Sequence, residues 1–168
     1  MWGWMLHPSY GAVNQIFGIK VNWLGDPDIA LATVMAIMVW FQLGYPVVIF
    51  MAGLQRVDPS LYEAAEIDGA SWWRRFWHIT IPQIRPEIFV VLLTCTIAAL
   101  KVFGPIFVLT RGGPGSATMV PSYFSYLNFF QKVNVGYGSA IATVLALIIV
   151  VVTFLFLRVQ ERDQESGS

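Results

Sequence analysis

The sequence predicts an all-α fold of polytopic transmembrane helices, three full spans plus an N-terminal stub, with a helix-bend-helix loop on the cytoplasmic side. Three observations predict it. Hydrophobic residues make up 57% of the 168 positions and charged residues 12%, where an ordinary soluble domain carries about 25% charge. Residues 29–54, 88–110 and 139–157 form apolar runs near the roughly 20 residues that cross about 30 Å of hydrocarbon. Arg56, Arg74, Arg75 and Arg85 crowd the gap between the first two runs, and Arg158 and Arg162 follow the third. The gap between the second and third runs holds only Arg111 and Lys132, and the leading segment only Lys20. That asymmetry puts residues 55–87 and the C-terminus in the cytoplasm and the N-terminal segment outside.

In chain order, residues 1–6 are apolar and Trp-rich but lack a basic start, and His7-Pro8-Ser9 interrupts them. They read as the stub of an earlier helix rather than a signal peptide. Residues 9–28 are turn-rich, with Trp23 and Asp26-Pro27 ahead of the first span, as in an external loop with an interfacial aromatic. Asp28 is placed to cap that span. Gly44-Tyr45-Pro46 in the first span and Gly104-Pro105 in the second weaken helix where lipid offers the backbone no partner. Both spans are therefore expected to pack on other helices or to line a pathway. Tyr123, Phe124, Tyr126, Phe129 and Phe130 read as an interfacial belt, or as a short re-entrant helix sealing the outer end of a pathway.

Within residues 55–87, Asp58-Pro59 has the form of an N-cap followed by proline at the first helical position, and Ser60 with Glu63 offers an alternative capping box. The helix is expected to reach about residue 68, where Gly69 accepts a positive φ and ends it. Ser71 then caps a second short helix through Trp77, and Pro82 and Pro86 stop it.

Several classes are excluded. Formal net charge is zero, so no basic face argues for nucleic acid. A single cysteine, Cys95, forms neither an internal disulfide nor a cysteine metal site, and His7 and His78 stand alone without metal spacing. No carboxylate pair or Ser/His/Asp set is visible outside the loop.

The loop sequence Glu63-Ala64-Ala65-Glu66-Ile67-Asp68-Gly69-Ala70, followed by Phe76, Ile79, Pro82 and Pro86, resembles the coupling loop, or EAA motif, of carbohydrate-uptake ABC permeases of the maltose and glycerol-phosphate type. Leu109-Thr110-Arg111-Gly112-Gly113-Pro114 is similar to an external turn of the same family. Gly11-Ala12-Val13-Asn14 and the stretch from Trp40 to Pro46 also fit, so the resemblance covers nearly the whole chain. It implies an inner-membrane, multi-pass permease domain over residues 1–168, matching the C-terminal half of the family pattern, with residues 55–87 as the cytoplasmic coupling loop. By the same likeness Glu63, Ala64, Ala65, Asp68, Gly69, Ala70, Phe76 and Pro82 dock into a cleft of an ABC nucleotide-binding subunit. Glu63 then faces a basic group there, and Gly69 sits at the bend.

The resemblance further implies a second homologous permease subunit, an extracytoplasmic solute-binding protein and membrane lipid as partners. The chain has no Gly-rich phosphate loop, so the implied ATP is hydrolysed by the partner subunit and no cofactor or metal is bound directly. Gln42, Gly44 and Tyr45 in the first span match substrate-contacting positions. In the second span Cys95, Ala98, Ala99 and Val102 fall at helical spacing on one face, where the resemblance places pore-lining positions, although the polar side chains expected there for a sugar are missing; Lys101 joins them as a pathway candidate by its charge. A lysine inside a span costs about 3 kcal/mol; Lys101 either snorkels or pairs with a carboxylate on another subunit, or it faces an anionic solute. The implied function is translocation of a sugar or related polyol. The alternatives are permeases for glycerol phosphate, peptide or polyamine, and a membrane scaffold fragment that transports nothing.

Overall fold

The computed structural model describes residues 1–166, with side chains through Glu161. In order, the helices are α1 (Trp2–Met5), α2 (Ala12–Phe17), α3 (Ala30–Gln42), α4 (Gly44–Leu54), α5 (Pro59–Ile67), α6 (Trp72–Arg75), α7 (Ile81–Gln83), α8 (Arg85–Leu100), α9 (Pro121–Tyr126) and α10 (Val135–Ser166). Wider π-helical turns join them at Phe76–Thr80, Ile106–Thr110 and Leu127–Gln131. Among the described residues there is no strand.

The third predicted span is present within α10, whose stretch Val135–Glu161 is long and apolar enough to cross a membrane by itself. At 27 residues it measures about 40 Å. Two bent pairs pass the same test only together: Ala30–Gln42 with Gly44–Leu54, and Trp72–Gln83 with Arg85–Leu100.

The first pair is the predicted span 29–54, broken at Leu43. Pro46 has no N–H to give the carbonyl of Gln42, so the ladder lapses one turn before it. Asp28 does not cap α3. Asp26 holds that place: its main-chain carbonyl accepts the Ala30 N–H at 2.9 Å, and its carboxylate accepts the Asp28 N–H at 3.0 Å.

The predicted span 88–110 is corrected at both ends. α8 begins at Arg85 and ends at Leu100, and Lys101 to Phe103 form a break before helix resumes at Gly104. The cause is Pro105, whose ring collides with the carbonyl four residues back, that of Lys101. Pro82 and Pro86, expected to stop helix, instead stand at the starts of α7 and α8. Pro86 lies in the first turn of α8, where the N–H has no intrahelical partner and its absence costs nothing, while Pro82 directly follows the π-turn Phe76–Thr80 inside one continuous helical run. Helix therefore runs from Trp72 to Gln83 and turns 71° into α8.

The described chain forms two compact units, Met1–Phe41 with Ala98–Val151, and Gln42–Ile97 with the chain from Val152 onward. The first has a core of Val34, Ile106 and Tyr123, covered by Leu24, Val102, Phe103, Met119, Val120, Tyr126 and Leu127. Tyr123 is 3% exposed, and Tyr126 packs on Phe103 and Phe107 with ring centroids 5.2 and 5.4 Å apart. These rings hold the unit together, and of the expected belt Phe130 is the ring left open, 66% exposed. The Ser122 hydroxyl donates to the Val102 carbonyl freed by the break.

The leading segment is not only turns, because α2 lies within it. Asn14, buried, donates to the carbonyls of Pro8 and Val21 (3.1 and 2.8 Å) and accepts from the Trp23 indole at 2.7 Å. The turn after Thr110 is closed by Arg111 and Gly112, both with positive φ. Thr118 braces it, its hydroxyl bonded to the Gly113 carbonyl and the Thr110 hydroxyl, each at 2.7 Å.

Candidate functional site

The second unit carries the predicted loop. Asp58 caps α5, accepting the Ser60 N–H at 2.9 Å with Pro59 in the first turn. The hydrogen bonds from the Ser60 backbone and side chain hold the Asp58 carboxyl below its ordinary value of 3.8, because they favour the charged form.

The other end of α5 is a Schellman closure. Ala70 N–H bonds the Ala65 carbonyl at 2.9 Å, Gly69 N–H bonds that of Glu66 at 3.0 Å, and Gly69 has φ 71°. Ala65, Gly69 and Ala70 of the motif are thus the parts of one bend. Asp68, between them, gives its N–H to the Ala64 carbonyl at 3.1 Å.

After the bend Ser71 sits at the N-cap position of α6 without a side-chain bond. Phe76 begins the π-turn and stacks on Trp72 with centroids 5.5 Å apart. Two bonds brace the arms of the hairpin: Tyr62 hydroxyl with Thr80 hydroxyl at 2.9 Å, and Arg75 Nη1 to Glu66 Oε2 at 3.0 Å. A cavity of about 290 Å³ between the arms is lined by Tyr62, Trp72, Arg75, Phe76 and Thr80. Glu63, Ala64, Asp68, Gly69 and Pro82 are exposed, while Ala65, Ala70 and Phe76 are half-buried.

Two features here escaped the sequence reading. Ile67 stands 87% exposed between two acids at the bend, and its flanking Glu66 and Asp68 were the signal available. At the base of the loop Arg56 pairs with Glu87, which is 8% exposed and packed against Gly53. The pair is legible only as opposite charges at the two ends of one loop.

Of the predicted pathway residues, Gln42 is half-buried, Gly44 has open space where a Cβ would stand, and Tyr45 places its hydroxyl 3.4 Å from that of Thr94. Ala99 is exposed on α8, with Cys95 and Ala98 half-buried. Val102 does not continue their face. It lies in the break after α8 and covers the Val34, Ile106 and Tyr123 core. Lys101 is exposed in the same break rather than within a helix. An apolar cavity of about 370 Å³ lies elsewhere, against Trp2, Leu6, Trp23 and Ile37.

Long apolar helices joined by an acidic, small-residue hairpin define a helical membrane protein. Residues 4–165 match the model of the binding-protein-dependent transport system inner membrane component, and the chain belongs to that family. The chain is 40% identical to the trehalose/maltose transport system permease protein of Thermococcus litoralis, covering 94% of this chain and 55% of that protein. To the sulfoquinovosyl glycerol transport system permease protein of Agrobacterium fabrum it is 36% identical, covering 95% and 53%. It superposes on a chain of a bacterial ABC transporter that imports the acidic polysaccharide alginate, with a TM-score of 0.84 at 26% identity, over 95% of this chain and 57% of that one. The chain therefore spans about half the length of the curated relatives it matches.

Proposed function

We propose that this chain belongs to a permease subunit of an ABC importer for a sugar or related polyol, and that residues 55–87 couple it to a separate ATPase. The observation that carries this is the hairpin itself. A bend closed by main-chain bonds and braced across its arms leaves Glu63, Ala64, Ile67, Asp68 and Gly69 open to a partner. Small residues at Ala64 and Gly69 let another backbone approach closely, Glu63 and Asp68 offer charge to a basic cleft, and Ile67 supplies apolar area. The nucleotide-binding subunit hydrolyses ATP, a second permease completes the pathway, and a solute-binding protein delivers cargo. The loop and the C-terminus face the cytoplasm.

Co-purification tests the reading. The ATPase subunit is expected to accompany the intact permease and to be lost with Glu63→Lys or with Gly69→Pro, whose ring cannot adopt a φ of 71°. Retention of the ATPase and of uptake in both variants would refute it.

One observation favours an anionic cargo. Lys101 is exposed at a break in the second span, and the similar alginate transporter imports an acidic polysaccharide. Lys101→Met is expected to weaken uptake of a sulfonated or uronic sugar more than uptake of maltose; equal effects on both would remove this reading.

A further inference from the structure

Three nested ties cross the cytoplasmic hairpin. Glu66 with Arg75 lies near the tip, Tyr62 with Thr80 midway, and Arg56 with Glu87 at the base, where α4 ends and α8 begins. They differ in setting. At the tip the Glu66 side chain is 72% exposed and the Arg75 side chain 23%, so there it is the carboxylate that stands in water, which weakens the pair. At the base the Glu87 side chain is 10% exposed and the Arg56 side chain 72%. A carboxylate so far from water needs a cation, and Arg56 supplies it. Oε1 of Glu87 meets Arg56, and its Oε2 is buried with no hydrogen-bond partner among the described residues, so the group leans on that guanidinium and on the N-terminus of α8, in whose first turn it stands.

Gly53 makes the seat. A Cβ there would stand 2.8 Å from Cγ of Glu87, so the last turn of α4 admits the glutamate only because that position is glycine. Charge and shape together hold the end of α4 against the start of α8.

We propose that Arg56 and Glu87 are positioning residues, a bracket that closes the base of the hairpin so that its displacement carries α4 and α8 together. The proposal rests on the coupling reading above. A handle gripped at its tip moves two helices as one only if its roots are held at fixed separation. With an open base, α5 swings while α8 stays. The tip and middle ties fix the shape of the handle, and the base tie joins it to the membrane helices.

Cys95, the chain's one cysteine, lies on α8 and reports the motion without knowledge of the solute. The experiment uses the assembled transporter in proteoliposomes, with cysteines outside this chain replaced by serine, and measures the rate of maleimide labelling at Cys95 with and without ATP. In the unaltered transporter ATP is expected to change that rate about tenfold, the scale of an ordinary coupling between sites. Glu87→Gln keeps the shape and frees an arginine that is already largely hydrated. Its labelling rate is expected to be the same with and without ATP while the ATPase subunit stays bound. Gly53→Ala, which alters no charge but fills the seat, is expected to lose the response likewise, and it decides the matter if Glu87→Gln does not assemble. An ATP response of unaltered size in the variants overturns the bracket alone. No ATP response in the unaltered transporter overturns the coupling reading and the bracket with it.

Discussion

Asp58 shows how one side chain sets where the first arm of the hairpin begins. Its carboxylate accepts the Ser60 N–H at 2.9 Å, satisfying a donor that the first turn leaves unpaired. Because the Ser60 bonds hold its pKa below 3.8, the folded chain favours the charged form. The contribution to stability is therefore whole above 3.8 and disappears as the pH falls through the lower folded value. The amide shift of Ser60, followed by NMR against pH, is expected to titrate with a midpoint below 3.8. Asp58→Asn, which keeps an accepting oxygen, is expected to preserve the start of α5, and Asp58→Ala to fray it. This cap was legible in the sequence because Asp-Pro carries both halves of the signal, an acceptor and a ring that needs no donor. Gly69 was legible for the same reason, since a bend after a helix calls for positive φ. Glu87 was not: its burial depends on the absence of a side chain at Gly53, thirty-four positions away in the chain, and no local pattern reports such a contact.

Among the elements, proline decides more than hydrophobicity does. The apolar runs predicted the three membrane segments well where their interiors were uniform, and α10 contains the whole of the third. Where proline interrupts a run, its effect falls a turn earlier than the residue itself, at Leu43 before Pro46 and at Lys101 before Pro105. Where it follows a bend it starts a helix, as Pro86 does, and where it follows a π-turn it is carried within one, as Pro82 is. Sequence alone does not separate these roles, because the same ring blocks an interior turn and is indifferent in a first one. Pro105→Ala is expected to restore the bond to the Lys101 carbonyl and to carry α8 through the break; a spin-label distance across residues 97–107 would then match uninterrupted helix. Ser122→Ala is expected to cost about 1 kcal/mol in thermal unfolding, because the Val102 carbonyl then loses its donor. No loss in that variant would mean that water or another group already serves the carbonyl.

At the scale of the whole molecule, orientation is the property on which the rest depends. In the orientation proposed above, the arginines between the first two spans and after the third put the hairpin and the C-terminus on one side. A thiol introduced by Ser71→Cys, in a Cys95→Ser background, is expected to react with a membrane-impermeant maleimide only after the cytoplasmic side is opened. Labelling in intact cells would place the hairpin where no ATPase can reach it. Large apolar side chains along α10, among them Val144, Leu147, Val150 and Phe154, are more than half exposed, so this helix awaits lipid or another subunit. The chain is accordingly expected to leave the membrane with detergent and not with high salt or alkali.

The bend after α5 is held by carbonyls of Ala65 and Glu66 rather than by the side chains that face outward. Its shape is therefore indifferent to what stands at Glu63 or Ile67. On the coupling reading proposed above, those two positions are free to be matched to the surface of a given ATPase while the fold of the bend stays the same.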